Sequence, residues 1–194
     1  MNEEQKQATE GCAFRIPSNS LHQLREESKK KQVSLNTLVN QILKQHLEWH
    51  AYADQTKMHH LPRSSMSRII DKLTDDQLSE VAVEMARKDF VDLGLLFRGE
   101  FTISSFLNIA ETWSRISAFP YKHEINDDVH NFIIEHDMGR KYSFLIKEIC
   151  RFILEEMFET KSEFMITDNT IVFKFRQLVN RIPDKNLELQ RMIK

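Results

Sequence analysis

Apolar side chains along the first fifty residues change their spacing once, and the change divides the segment into elements. From Cys12 to Ile16 they alternate, with Cys12, Phe14 and Ile16 on one face and Ala13 and Arg15 on the other, which is the period of a strand. Pro17 ends it, because proline cannot continue a ladder. Ser18 or Asn19 then offers an N-cap for a helix to about Lys31. Its inward face carries Leu21, Leu24 and Ser28, while Arg25, Glu26, Glu27 and Lys29 to Lys31 face water. Gln32-Val33 breaks that helix and Ser34 caps another. There Leu35, Leu38, Val39, Ile42, Leu43 and Leu47 recur at spacings of three and four, an amphipathic stripe that Trp49 closes.

Beyond His50 the chain is polar as far as Pro62, which predicts a linker over 51–62. Three helices follow, at about 64–72, 75–97 and 102–118. Thr74 with Asp75-Asp76 gives the second an acidic start, and Gly99 marks its end. After Pro120 the pattern changes again. Residues 121–137 read as one strand or as a hairpin turning at Asn126-Asp127. Lys141 to Glu159 reads as a helix with Leu145, Ile149, Phe152 and Ile153 buried. The run FMITDNTIVFKF reads as a hairpin turning at Asp168-Asn169. No internal repeat occurs. The expected fold class is helix-rich α+β: a disordered arm (1–10), a β-α-α module (11–50), the linker (51–62), a domain of helices and antiparallel sheet (63–180) and a charged tail (181–194).

Composition narrows the function classes. With 41% hydrophobic and 29% charged residues the 194-residue chain is an ordinary globular one. No run approaches the roughly 18 apolar residues of a membrane span, and the polar start MNEEQKQATEGC lacks the apolar core of a signal peptide. Two cysteines, Cys12 and Cys150, do not make a disulfide framework, so the expected compartment is the reducing cytoplasm. Net charge is −2, unevenly spread. Six basic side chains against three acids leave residues 11–50 at +3 and the remainder at −5. A basic module on an acidic body suits a defined contact with a polyanion better than indiscriminate coating.

The run FRIPSNSLHQLREESKKKQVSLNTLVNQILKQHLEW resembles the ribbon-helix-helix repressors of the Arc and CopG type. The resemblance covers about a fifth of the chain, residues 11–50. It rests on Arg15-Ile16-Pro17 ending the strand and Ser34-Leu35-Asn36 opening the second helix. It implies a homodimer, with a tetramer through the C-terminal domains as the larger alternative. Two strands would pair into a ribbon over a shared four-helix core, because one strand and two helices bury too little alone. Cys12, Phe14 and Ile16 would then point inward. Gly11, Ala13 and Arg15 would enter the major groove of double-stranded DNA, where Arg15 matches guanine O6 and N7. Ser34 and Asn36, in the first turn of the second helix, would meet a phosphate. The sequence departs from the family at Gly11 and Ala13, where larger polar residues are common, and at Gln32, where glycine is. The function so implied is a sequence-specific transcription regulator, a repressor in the first instance. An interaction protein such as an antitoxin is the alternative.

For the C-terminal domain the candidate chemistry is histidine. His123, His130 and His136 fall in one strand region beside several acids, and a metal ion or small-molecule effector is the cofactor they would suit. On one straight strand His130 and His136 stand about 20 Å apart, too far for one ion, whereas a hairpin brings His123 opposite His130. His46/His50 and His59-His60 are weaker pairs. The turn Asp137 to Lys141 offers an anion contact through Gly139, Arg140 and Lys141. Cys150 reads as buried and inert, and Phe144, Phe152, Met157 and Phe158 as core. No nucleophile elbow, phosphate-binding glycine loop, paired-cysteine motif or HExxH is present, so an enzyme is not expected.

Overall fold

The computed structural model describes residues 10–51 and 61–177, and packing divides the chain into two units, Met1–His46 and Leu47–Lys194. The expected arm and tail, and most of the linker with His59-His60, lie outside the described residues.

In the first unit α1 (Ser18–Lys30) starts directly after Pro17, which holds the N-cap position without a side-chain bond. Ser18 and Asn19 are already helical, one step inside the expected cap. Leu21 and Leu24 are half-buried and Ser28 is buried, its hydroxyl donating to the Arg25 carbonyl at 2.9 Å. The helix stops at Gln32, whose φ is +54°. A left-handed backbone costs a residue with a Cβ about 1 kcal/mol. The Ser34 side chain then accepts from the Thr37 N–H at 3.0 Å and caps α2 (Leu35–Gln45).

No strand precedes these helices among the described residues. Residues 10–17 are outside regular structure, so the strand expected at Cys12–Ile16 is not formed, and the β-α-α order is reduced to α-α. The physical reason is pairing: a strand exists by bonding to another extended segment, and the described residues of this unit contain no second one.

A π-helical turn occupies His46–His50, and the second unit continues through α3 (Arg63–Ile70), α4 (Asp75–Glu84), α5 (Val91–Arg98) and α6 (Ile103–Ile116). The single helix expected over 75–97 is α4 and α5 joined by a π-helical turn, Met85–Phe90. Its start carries a capping box between Thr74 and Gln77, and its end a left-handed Gly99. At Gly94 the α5 backbone meets Phe101 so closely that a Cβ there would lie 2.5 Å from the ring. α7 (Arg140–Arg151) runs into a third π-helical turn, Phe152–Met157, and buries Leu145, Ile149, Phe152 and Ile153. Each such side chain contributes about 1.5–3 kcal/mol by leaving water. No described helix is long and apolar enough to cross a membrane.

Strands β1 (Tyr121–Asn126), β2 (Val129–Glu135), β3 (Ser162–Ile166) and β4 (Thr170–Arg176) form one antiparallel sheet in the order β1-β2-β4-β3. The first hairpin turns at Asp127-Asp128, one residue past the expected Asn126-Asp127, with φ values of +48° and +64°. The type I′ turn that suits a two-residue hairpin loop has positive φ at both positions, and aspartate tolerates it. The second turns at Asp168-Asn169, as expected. Register places Phe132, Phe173 and Phe164 in one cross-strand row, Phe132 and Phe173 lying parallel with centroids 5.0 Å apart. This row meets α6 and α7 in the core. The molecule is α+β, with every described strand in the C-terminal unit.

Candidate functional site

Two sites follow from the residues singled out above, and each belongs to one unit. In the first unit Gly11, Ala13, Arg15, Ser34 and Asn36 are all exposed. Ser34 Oγ lies 2.7 Å from Thr37 Oγ1 while accepting from the Thr37 N–H. Two hydroxyls sharing one contact leave one O–H proton free to donate outward, beside the unpaired first-turn N–H groups that favour an anion. Thr37 was not singled out from the sequence, although Ser34-x-x-Thr37 is a spacing at which a cap and its third helical residue meet. Asn36 contributes its carbonyl to the Asn40 amide at 2.9 Å.

The same unit exposes apolar surface. Phe14 is 67% exposed, Ile16 38%, Ile42 42% and Leu43 44%. Leu38 is its only fully buried apolar side chain among the described residues. The stripe on α2 is therefore wider than the surface the chain itself covers.

In the second unit the hairpin does bring two of the three histidines together. His123 on β1 and His130 on β2 are diagonal neighbours on the core face, since His123 opposes Phe132 and His130 opposes Ile125. His123 Nε2 is 2.9 Å from His130 Nδ1, and the rings are stacked with centroids 5.1 Å apart. On its other side His123 Nδ1 lies 2.6 Å from Glu111 Oε1 of α6. The Gln177 side chain hydrogen-bonds the His130 ring, which also stacks on Phe175 at 4.9 Å. Burial first, and the neighbouring His123 second, hold the His130 pKa below its usual value, with Gln177 and Asp128 opposing. Glu111 and Gln177 were missed from the sequence, because neither is near the histidines in the pattern of β1 and β2.

His136 stands elsewhere. It is buried just past β2, with Nδ1 accepting from the Met138 N–H at 3.1 Å and Nε2 2.7 Å from Ser143 Oγ of α7. That pattern requires the neutral ring with its proton on Nε2, and burial pushes its pKa down to about 4. The three histidines thus do not converge on one ion, and among the described residues no group of three His, Cys, Asp or Glu is placed to hold a metal. Glu111 is no third ligand to the pair, since it binds the ring nitrogen that faces away from His130.

Of the candidate anion turn, Gly139 and Lys141 are used internally. The Gly139 N–H donates to Asn169 Oδ1 at 3.1 Å, and the Lys141 ammonium donates to the Asp71 and Leu73 carbonyls beyond α3. Neither is available to an anion. Gly139 has a φ of +87° and joins the sheet to α7. Cys150 is buried, its thiol pushed up to about 12. An open cleft of about 850 Å³ at the end of the sheet mixes Glu155, Glu159 and Glu163 with Lys161, Lys174 and Arg176. Its lining has no single sign of charge to select a ligand. His46 and His50 end the first π-helical turn.

No protein-family model, no curated protein and no solved structure matches this chain.

Proposed function

We propose that the protein is a dimeric, sequence-specific DNA-binding regulator of the ribbon-helix-helix kind, working as a repressor in the cytoplasm and without enzymatic activity. The observation that carries this reading is the incomplete core of the first unit. Phe14 and Ile16 lie exposed on an unpaired segment of alternating pattern, and Ile42 and Leu43 lie exposed on α2. A two-helix unit with one buried apolar side chain cannot offset the entropy of ordering itself. A second copy supplies the missing half: its 12–16 segment completes a two-stranded ribbon, and its helices cover the stripe.

Such a ribbon puts Arg15 in the major groove, where its planar fork reads guanine, with Ala13 and Gly11 beside it. It also points the Ser34-capped end of α2, with Asn36, at the backbone, where phosphate contacts set position rather than sequence. The +3 charge of residues 11–50 favours the same partner.

Selection of duplexes from a random pool, run on the protein and on Arg15→Ala, tests the reading. The expected result is an enriched pseudo-palindrome, weakened by about 1–3 kcal/mol and relaxed at one position per half-site in Arg15→Ala. Ser34→Ala should weaken every duplex alike. No enrichment at moderate salt would overturn the proposal and leave the ribbon a protein-binding or dimerisation device.

A further inference from the structure

We propose that Glu111, His123, His130 and Gln177 form a proton-operated latch that is closed with up to one proton added to the histidine pair and opens on the second. The inference goes beyond DNA binding and does not depend on it, since it is read on the protein alone.

The geometry sets the proton inventory. Glu111 as a carboxylate only accepts, so the 2.6 Å contact requires a proton on His123 Nδ1. With both rings neutral, His123 Nε2 must then accept from His130 Nδ1–H across 2.9 Å. Both contacts of His123 are then satisfied. One further proton is also accommodated: His123 as imidazolium donates both to Glu111 and to His130 Nδ1. His130 then carries its proton on Nε2, and the Gln177 side chain favours the protonated ring. A second proton has no such place. Both facing nitrogens, 2.9 Å apart, would carry hydrogens, on rings packed against Phe132 and Phe175. Two cations on mostly buried rings repel, and the contact must break.

The charges around the pair do not rescue that state. From α6 only Glu111 faces it, because Arg115 is engaged by Glu48 at 2.9 Å. On β1 Lys122 and Glu124 point to the opposite face of the sheet and pair with each other at 2.7 Å. The hairpin turn contributes Asp127 and Asp128, of which Asp128 favours a charged His130. On β4 Lys174 and Arg176 flank Phe175 on the opposite face, beside Glu155, Glu159, Glu163 and Lys161 of the cleft. One carboxylate in contact balances one imidazolium. The latch joins α6, the β1–β2 edge hairpin and the end of β4, so opening it frees the edge of the sheet and the point where the chain leaves it.

Histidine-labelled NMR of the full chain from pH 8 to 4.5, with amide exchange followed in the same samples, tests this. Expected is proton uptake by the pair in two coupled steps, the second coinciding with at least tenfold faster exchange at His123, Ile125 and Gln177. Exchange at Ile149 in α7 and at Ile153 in the π-helical turn that follows it should stay unchanged, which separates opening from global unfolding. In His130→Phe, which keeps the stack on Phe175, His123 should titrate in one step and the linked exchange should vanish. Independent titration of the two rings, or a second proton taken up with no change in exchange, would overturn the proposal.

Discussion

Single positions carry two kinds of burden in this chain, backbone strain and buried polarity. Gln32 accepts a left-handed φ of +54° to end α1, which the sequence flagged because glycine is common there. Ser34 repays the break by capping α2. His136 is the buried polar case. Its folded pKa of about 4 lies below the roughly 6.5 of an unfolded histidine. Between those values the unfolded chain binds the proton and the folded chain does not. Stability from this group is therefore full above about pH 6.5 and lost progressively as pH falls towards 4. Denaturation midpoints measured from pH 7.5 to 4 should fall accordingly, and His136→Gln should lower the midpoint at neutral pH while flattening that slope. A slope unchanged in His136→Gln would assign the effect to another group.

Elements in the second unit are held by contacts that their own patterns announce only in part. The stripe on α7 and the caps at Thr74 and Gly99 are legible because they are local: a spacing of three and four, a hydroxyl, a residue without a Cβ. The π-helical turns are not, since a wide turn inserted in a helix leaves the apolar spacing almost unchanged. Nor is the reason for Gly94. That glycine reads as a weak point within a helix, yet it exists to admit the Phe101 ring, which stacks on Phe158 with centroids 5.4 Å apart. Gly94→Ala gains helix propensity of about 1 kcal/mol but forces Phe101 out of place, for which overpacking costs of about 1–3 kcal/mol are typical. Urea unfolding should show a net loss of stability. A gain would mean that Phe101 moves aside without cost.

At the scale of the whole molecule the two units differ in what each one buries. The second has a continuous core in which sheet and helices share Phe106, Phe132, Phe173 and Ile153. The first leaves Phe14, Ile16, Ile42 and Leu43 in water. If a second copy covers them, the midpoint of thermal unfolding should rise with protein concentration, since a dimer gains from mass action. Leu43→Asp should abolish that dependence, and a midpoint independent of concentration would leave the first unit without a partner of its own kind. The sequence by itself determined helices in both units, the hairpin at Asp168-Asn169, the cap at Ser34 and the presence of His123 and His130 in one strand region, leaving open whether that region is one strand or a hairpin. Those features depend on residues within a few positions of each other. Only the tertiary structure decided that β2 lies against β4, that Glu111 and Gln177 close on the histidine pair, and that His136 is apart from it. Those depend on which distant segments meet, and periodicity records a face without naming what covers it. The strand expected at Cys12–Ile16 shows the same limit most plainly, for its pattern is that of a strand while the described residues of its unit hold no segment for it to pair with.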